Sequence, residues 1–236
     1  MSSPQMRAPD EEAPGIELAC LDMAGTTVAD DGLVEQAFDA ALDELGVTQK
    51  AQRASMVAHV RDTMGTSKIE VFRTLFGAED RALAANIAFE AAYDQAVRGG
   101  SVRPIPGALD CIGVLRAAGV KVALTTGFSA RTRDLLIEVL GWGDLVDLVL
   151  SPVDAGRGRP YPDMILTALL ALGAESVAAV AVAGDTAADM VSGRRAGASV
   201  VAGVLSGADD RARLIAAGAT HVIESVAQLP GLLGLR

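Results

Sequence analysis

Aromatic residues are scarce in this chain: one Trp, two Tyr and five Phe in 236 residues. Half of the residues are apolar, so Ala, Val, Leu and Gly must fill the interior. That composition is common in α/β proteins and unlike a disordered chain. Two cysteines, Cys20 and Cys111, exclude a disulfide framework and a cysteine-rich zinc site. Positive charge is also short, with 20 Lys and Arg against 30 Asp and Glu and a formal net charge of −10. Without a basic tract there is no face for phosphate backbones or anionic lipid, so neither nucleic acid nor membrane is expected as a partner. No apolar stretch reaches the roughly 18 residues of a membrane span. Residues 1–15 carry prolines and acids and lack the apolar centre of a secretory signal, so they read as a disordered tail. A cytoplasmic protein with one sizeable domain, or one domain carrying an insertion, is expected.

What is present is a series of short apolar runs: Ile16–Leu21, Val120–Thr126, Leu145–Leu150, Val177–Ala183, Ser199–Val204 and a weaker one at His221–Ile223. Helix-length segments separate the later runs, over Gly107–Ala118, Ala130–Leu140, Asp163–Leu172, Ala187–Ala196 and Asp209–Ala217. Near-continuous apolar strands alternating with helices predict an α/β, doubly wound parallel sheet. Gly119, Gly141, Gly173, Gly197 and Gly218 fit helix stops. Between Leu33 and Val97 no strand-like run occurs, and helical patterning dominates. We read 33–103 as a helical cap inserted into a core made of 16–32 and 104–236.

Ligands of such sheets bind beyond the carboxyl ends of the strands. Asp22 follows the first run, Thr126 the second, and Asp185 and Asp189 the Val177 run, while Arg159 lies in the loop after Leu150. Three carboxylates at one edge repel one another, and a hard divalent cation, Mg²⁺ above all, relieves that. Asp185 and Asp189 are four apart, which predicts one shared helix face. Thr126 and Arg159 add a hydroxyl and a fixed cation suited to phosphoryl oxygens. Together these are the parts for phosphoryl transfer through an aspartyl-phosphate.

These residues resemble the haloacid dehalogenase superfamily from Ile16 onward, with Asp22 at the position of the nucleophile. Within it, Asp22-Met-Ala-Gly-Thr-Thr27, Met64-Gly-Thr-Ser-Lys68, Thr125-Thr-Gly127 and Gly158-Arg-Pro-Tyr-Pro162 are similar to the phosphonoacetaldehyde hydrolase (phosphonatase) branch. That resemblance implies a Rossmann-like core with a mobile cap. It further implies Asp22 and Lys68 as catalytic residues and Thr126, Arg159, Gly127 and Met64 around the substrate. Mg²⁺ would be held by Asp22, the Ala24 carbonyl, Asp185 and Asp189. A small anionic phosphonate or phosphate is the implied substrate, and a homodimer paired through the caps the implied assembly.

Most phosphatases of the superfamily carry a second Asp two positions after the nucleophile, where this chain has Ala24. Loss of a general acid typically costs about 10²–10⁴ in rate. Breaking a C–P bond leaves an electron pair on carbon, and an amine condensed with a neighbouring aldehyde accepts that pair as an enamine. Lys68 is one of only three lysines in the chain, and such an amine needs a pKa below its ordinary value of about 10.4. Val71, Phe128 and Met23 depart from the branch, which has histidine, tyrosine and tryptophan at those places. His59 and His221 do not fill the gap. A phosphate-ester phosphatase with an unorthodox acid, or a non-catalytic protein on the same fold, are the competing expectations.

Overall fold

In the computed structural model, which describes residues 15–29 and 31–235, each apolar run yields a strand over all or part of its length. The expected tail over 1–15 falls, but for Gly15, outside the described residues. In chain order the elements are β1 (Leu18–Asp22), β2 (Val28–Ala29), α1 (Leu33–Glu44), α2 (Lys50–Asp62), α3 (Lys68–Phe76), α4 (Glu79–Arg98), β3 (Arg103–Pro104) and α5 (Ala108–Ala117). There follow β4 (Lys121–Thr125), α6 (Ala130–Leu140), β5 (Leu148–Leu150), α7 (Pro152–Ala155), α8 (Asp163–Leu172), β6 (Val180–Gly184) and α9 (Ala187–Ala196). The chain ends with β7 (Val200–Val204), α10 (Arg211–Ala216), β8 (His221–Ile223) and α11 (Leu229–Leu232).

Six strands form one parallel sheet in the order β5-β4-β1-β6-β7-β8. All five residues of β1 are buried, as the period-2 pleat requires of a strand covered on both sides. Ala19 and Leu21 point into the core shared with Ile112 and Leu115 of α5. Leu18 and Cys20 point to the other core, with Met164 and Ile165 of α8 and Met190 of α9. Burial drives the Cys20 and Cys111 thiols up to about 12, so both act as small apolar core groups. No helix among the described residues is long and apolar enough to cross a membrane.

Two expectations shift by a few residues. Val177–Ala179 forms a 3₁₀ turn capped by Ser176, and β6 starts only at Val180. The run from Leu145 yields a strand only over Leu148–Leu150, because the Asp147 side chain accepts from the Val122 amide at 2.8 Å and ends the ladder there. The two-residue ribbon of β2 and β3, too short to show a period, was not expected. It ties together the chain entering and leaving α1–α4.

Those four helices carry most of the chain's aromatic material. Phe38, Phe72, Phe76, Phe89 and Tyr93 form a connected ring cluster, with centroids 4.7–6.4 Å apart. Phe128, from the core, joins it at 4.5 Å from Tyr93 and 6.3 Å from Phe89. Six of eight aromatic residues thus join α1, α3 and α4 to one another and to Phe128 beyond β4, while the sheet is packed with aliphatic side chains.

Candidate active site

β1 delivers Asp22 at its last position, and the chain turns at once. The amides of Thr26, Thr27 and Val28 all donate to the Met23 carbonyl, at 3.2, 2.8 and 2.7 Å. Gly25 takes φ 86° within this turn, and a Cβ there would overlap the Asp185 carboxylate. Only glycine satisfies both demands. Asp185 follows β6; its Oδ1 accepts from Thr26 Oγ1 at 3.1 Å and its Oδ2 from the Ala208 amide at 2.8 Å.

Asp185 and Asp189 do not share a helix face, contrary to the spacing argument. α9 begins only at Ala187, so Asp185 stands in the turn before it. Thr186 is the N-cap, and Asp189 reaches back so that its Oδ2 accepts from the Thr186 amide at 3.1 Å and from Thr186 Oγ1 at 2.5 Å. This is a capping box. The other Asp189 oxygen pairs with Arg159. The three carboxylates still converge: Asp22, Asp185 and Asp189 are buried and offer oxygens within 4.8 Å of one another.

Charge is not balanced here. Arg159 Nη1 pairs with Asp189 and, at 2.5 Å, with Asp22, leaving three carboxylates against one guanidinium. Burial pushes Asp22 up to about 6, with Asp189 adding to it and Arg159 opposing. Burial, then the charges of Asp22 and Asp189, hold Asp185 well above the usual carboxylate range. Burial also works against the charge on Arg159, but Asp189 and Asp22 outweigh it and its pKa is raised. The donor set is oxygen only and carries excess negative charge, which suits a hard divalent cation. Among the described residues, Arg159 Nε and Nη2 are buried without a hydrogen-bond acceptor. An oxyanion would satisfy them.

From the cap, Met64 and Lys68 close over this edge. Lys68 opens α3 and is only 7% exposed, with its Nζ 5.5 Å from the Phe128 ring centroid. Its amide donates to the Gly127 carbonyl at 3.3 Å. A cavity of about 320 Å³ lies between the two parts, lined by Asp22, Ala24, Arg159, Thr126, Gly127 and Asp185 on one side and by Met64 and Lys68 on the other. Asp189 does not line it. Thr126 is buried, its amide donating to the Leu150 carbonyl at 3.0 Å. Val71 is buried in the larger hydrophobic core and does not line the cavity.

Sequence reasoning missed the loop after β7. Ser206 Oγ donates to the Gly25 carbonyl at 2.7 Å, Ala208 holds Asp185, and Asp209 accepts from the Ala187 amide at 2.6 Å. The signal was present, since Ser206-Gly-Ala-Asp209 also follows a strand end. Asp31 and Glu35 on the cavity wall were missed too. Their carboxylates sit below the usual range, first through hydrogen bonds from Arg103 and Arg61.

Gly127 marks how closely cap and core meet. A Cβ added there would lie 2.6 Å from the Thr66 carbonyl oxygen, and backbone cannot yield as a flexible side chain would. Gly127→Ala should push the 63–68 segment away from Asp22 and lower turnover by about 10–100-fold, since displacements near 1 Å carry costs of that order. Steady-state kinetics beside an unchanged far-UV spectrum would check this.

The profile described as haloacid dehalogenase-like hydrolase matches residues 16–197. A phosphonoacetaldehyde hydrolase from Parabacteroides distasonis is 31% identical over 156 residues, 55% of this chain and 58% of that protein. The namesake from Pseudomonas fluorescens is 38% identical over 104 residues, 44% of this chain and 38% of that one. The chain thus spans about half the length of the curated relatives it matches. A crystal structure of a phosphonoacetaldehyde hydrolase-like protein from Oleispira antarctica superimposes with a TM-score of 0.82 at 26% identity, covering 98% of this chain and 96% of that one. With its profile match running from β1 through α9, the chain belongs to the haloacid dehalogenase-like hydrolases.

Proposed function

We propose that the protein hydrolyses the C–P bond of phosphonoacetaldehyde or a close carbonyl phosphonate. The observation that carries this reading is a buried lysine, Lys68, lining the cavity that holds Asp22, while Ala24 stands two positions after Asp22 where a general acid would be. Relatives named for this activity support it.

In this reading the substrate's phosphonyl oxygens take the donors of Arg159 and the hydroxyl of Thr126. Mg²⁺, held by Asp22, the Ala24 carbonyl and Asp185, would offset the carboxylate charge and polarise the phosphonyl group. Asp189 acts by fixing Arg159. The unprotonated Lys68 amine condenses with the aldehyde, taking up one proton from solvent and releasing water, to leave a protonated imine. An Asp22 oxygen then attacks phosphorus as the P–C bond breaks, and its electron pair moves through carbon onto the imine nitrogen as an enamine. Protonation at carbon restores an imine, which water opens to acetaldehyde and free lysine. A second water hydrolyses the aspartyl-phosphate. Met64 and the closed cap keep bulk water from the imine.

Borohydride added with phosphonoacetaldehyde should fix a two-carbon adduct on Lys68, read by peptide mass. No adduct and no acetaldehyde release would defeat the reading. Phosphate-ester turnover that survives Lys68→Ala but not Asp22→Asn would instead assign a phosphatase.

A further inference from the structure

Asp94 is a buried carboxylate that the proposed chemistry does not use. It lies late in α4, is 1% exposed, and accepts from Thr132 Oγ1 of α6 at 2.8 Å. Its Oδ2 lies 3.2 Å from Nε of the largely exposed Arg131. Thr132 is fully buried. The pair therefore bridges cap and core inside their interface, where an apolar pair would avoid the desolvation cost of a charge. An ion pair to so exposed an arginine adds little net stability, and in some proteins a buried polar contact is kept for the single orientation it specifies.

The orientation matters because of what flanks it. Tyr93, the preceding residue, packs at a tilt against Phe128 of the core with ring centroids 4.5 Å apart, and Phe128 donates its amide to Thr126 Oγ1 at 3.3 Å. One turn back, Phe89 touches Phe72 of α3 at 6.0 Å, and α3 is the helix that Lys68 opens. α4 is thus pinned to the core at its end and supports α3 along its length. We propose that Asp94 is a positioning residue: by fixing α4 on Thr132 and Arg131 it sets where Lys68 stands relative to Asp22. The readout through Lys68 rests on the proposed imine chemistry, whereas the pinning itself does not.

The full chain and its Asp94→Ala, Asp94→Asn and Thr132→Val variants would be compared in three measurements. The first is hydrogen exchange over residues 63–68, which include the Lys68 amide bonded to Gly127. The second is the rate of borohydride-trapped imine with phosphonoacetaldehyde. The third is Mg²⁺-dependent binding of beryllofluoride, which needs the core alone. Asp94→Ala and Thr132→Val should speed exchange over 63–68 about tenfold or more and slow trapping by a similar factor, with beryllofluoride binding unchanged. Asp94→Asn keeps an acceptor for Thr132 and should recover most of the trapping rate. Should Asp94→Ala not fold, Thr132→Val carries the comparison. Folded variants with wild-type exchange over 63–68 would overturn the proposal. So would a uniform loss of exchange protection and of beryllofluoride binding, as a purely structural role predicts. If wild type itself traps no imine, the reading of Lys68 fails, and the exchange measurement alone decides for or against Asp94.

Discussion

Arginine in place of Lys68 should abolish acetaldehyde release from phosphonoacetaldehyde, a fall on the order of 10⁴. The exchange keeps a positive charge on the cavity wall, so any purely electrostatic service to the phosphonyl group would survive. A guanidinium does not deprotonate in a protein and forms no useful imine. In the proposed mechanism, loss of the imine forces the electron pair of the departing carbon onto the aldehyde oxygen as an enolate, a poorer sink, and Ala24 offers no proton in its stead. Beryllofluoride with Mg²⁺ should still bind Lys68→Arg, because Asp22, Asp185, Thr126 and Arg159 all belong to the core side of the cavity. Turnover measured as acetaldehyde and as phosphate separates the two halves of the reaction. Substantial phosphonate cleavage by this variant would remove lysine from the mechanism.

The sheet was legible because burial on both faces writes itself as continuous apolar runs. The residues at strand ends were legible because topology puts them at one edge whatever the side-chain detail. Helix α9 shows where that logic stopped. Spacing of four between Asp185 and Asp189 suggested one helical face, but Thr186-Ala-Ala-Asp189 is itself a capping-box signature, and it moves the helix start past Asp185. The cap signal assigns Asp189 to Thr186, as found, whereas its pairing with Arg159, 30 positions away, has no local signature. Asp94 was illegible for another reason. Its partner Thr132 lies 38 positions away on a different element, and no local pattern reports such a meeting. The aromatic cluster was likewise hidden: Phe38, Phe72 and Phe89 lie on three different helices that pack together, and Phe128 joins them from beyond β4.

Removing one charge from the carboxylate group should make the metal-free protein more stable while disabling it. Burial and the charges of Asp22 and Asp189 favour the protonated form of Asp185 in the fold. The stability so gained is complete below the ordinary carboxylate pKa of about 3.9 and is lost as pH rises through the raised folded value. At pH 8 without metal the ionised group is a net cost. Asp185→Asn cannot ionise; its amide oxygen can still accept from Ala208, and its NH₂ can donate to the Thr26 hydroxyl. In EDTA at pH 8 the variant should melt about 2 °C or more above wild type, the least shift that 1 kcal/mol makes in a domain of this size. That gap should close as the pH falls toward about 4, where wild type is protonated as well. Saturating Mg²⁺ should reverse the order. A ligand at 100 times its Kd adds about 2.7 kcal/mol to wild type, and the variant has lost one of the carboxylates that would hold it. Melting curves across pH, with and without Mg²⁺, test each part. A variant less stable than wild type in EDTA at every pH would mean that Ala208 and Thr26 alone already compensate the buried charge, leaving no electrostatic reason for a cation at this edge.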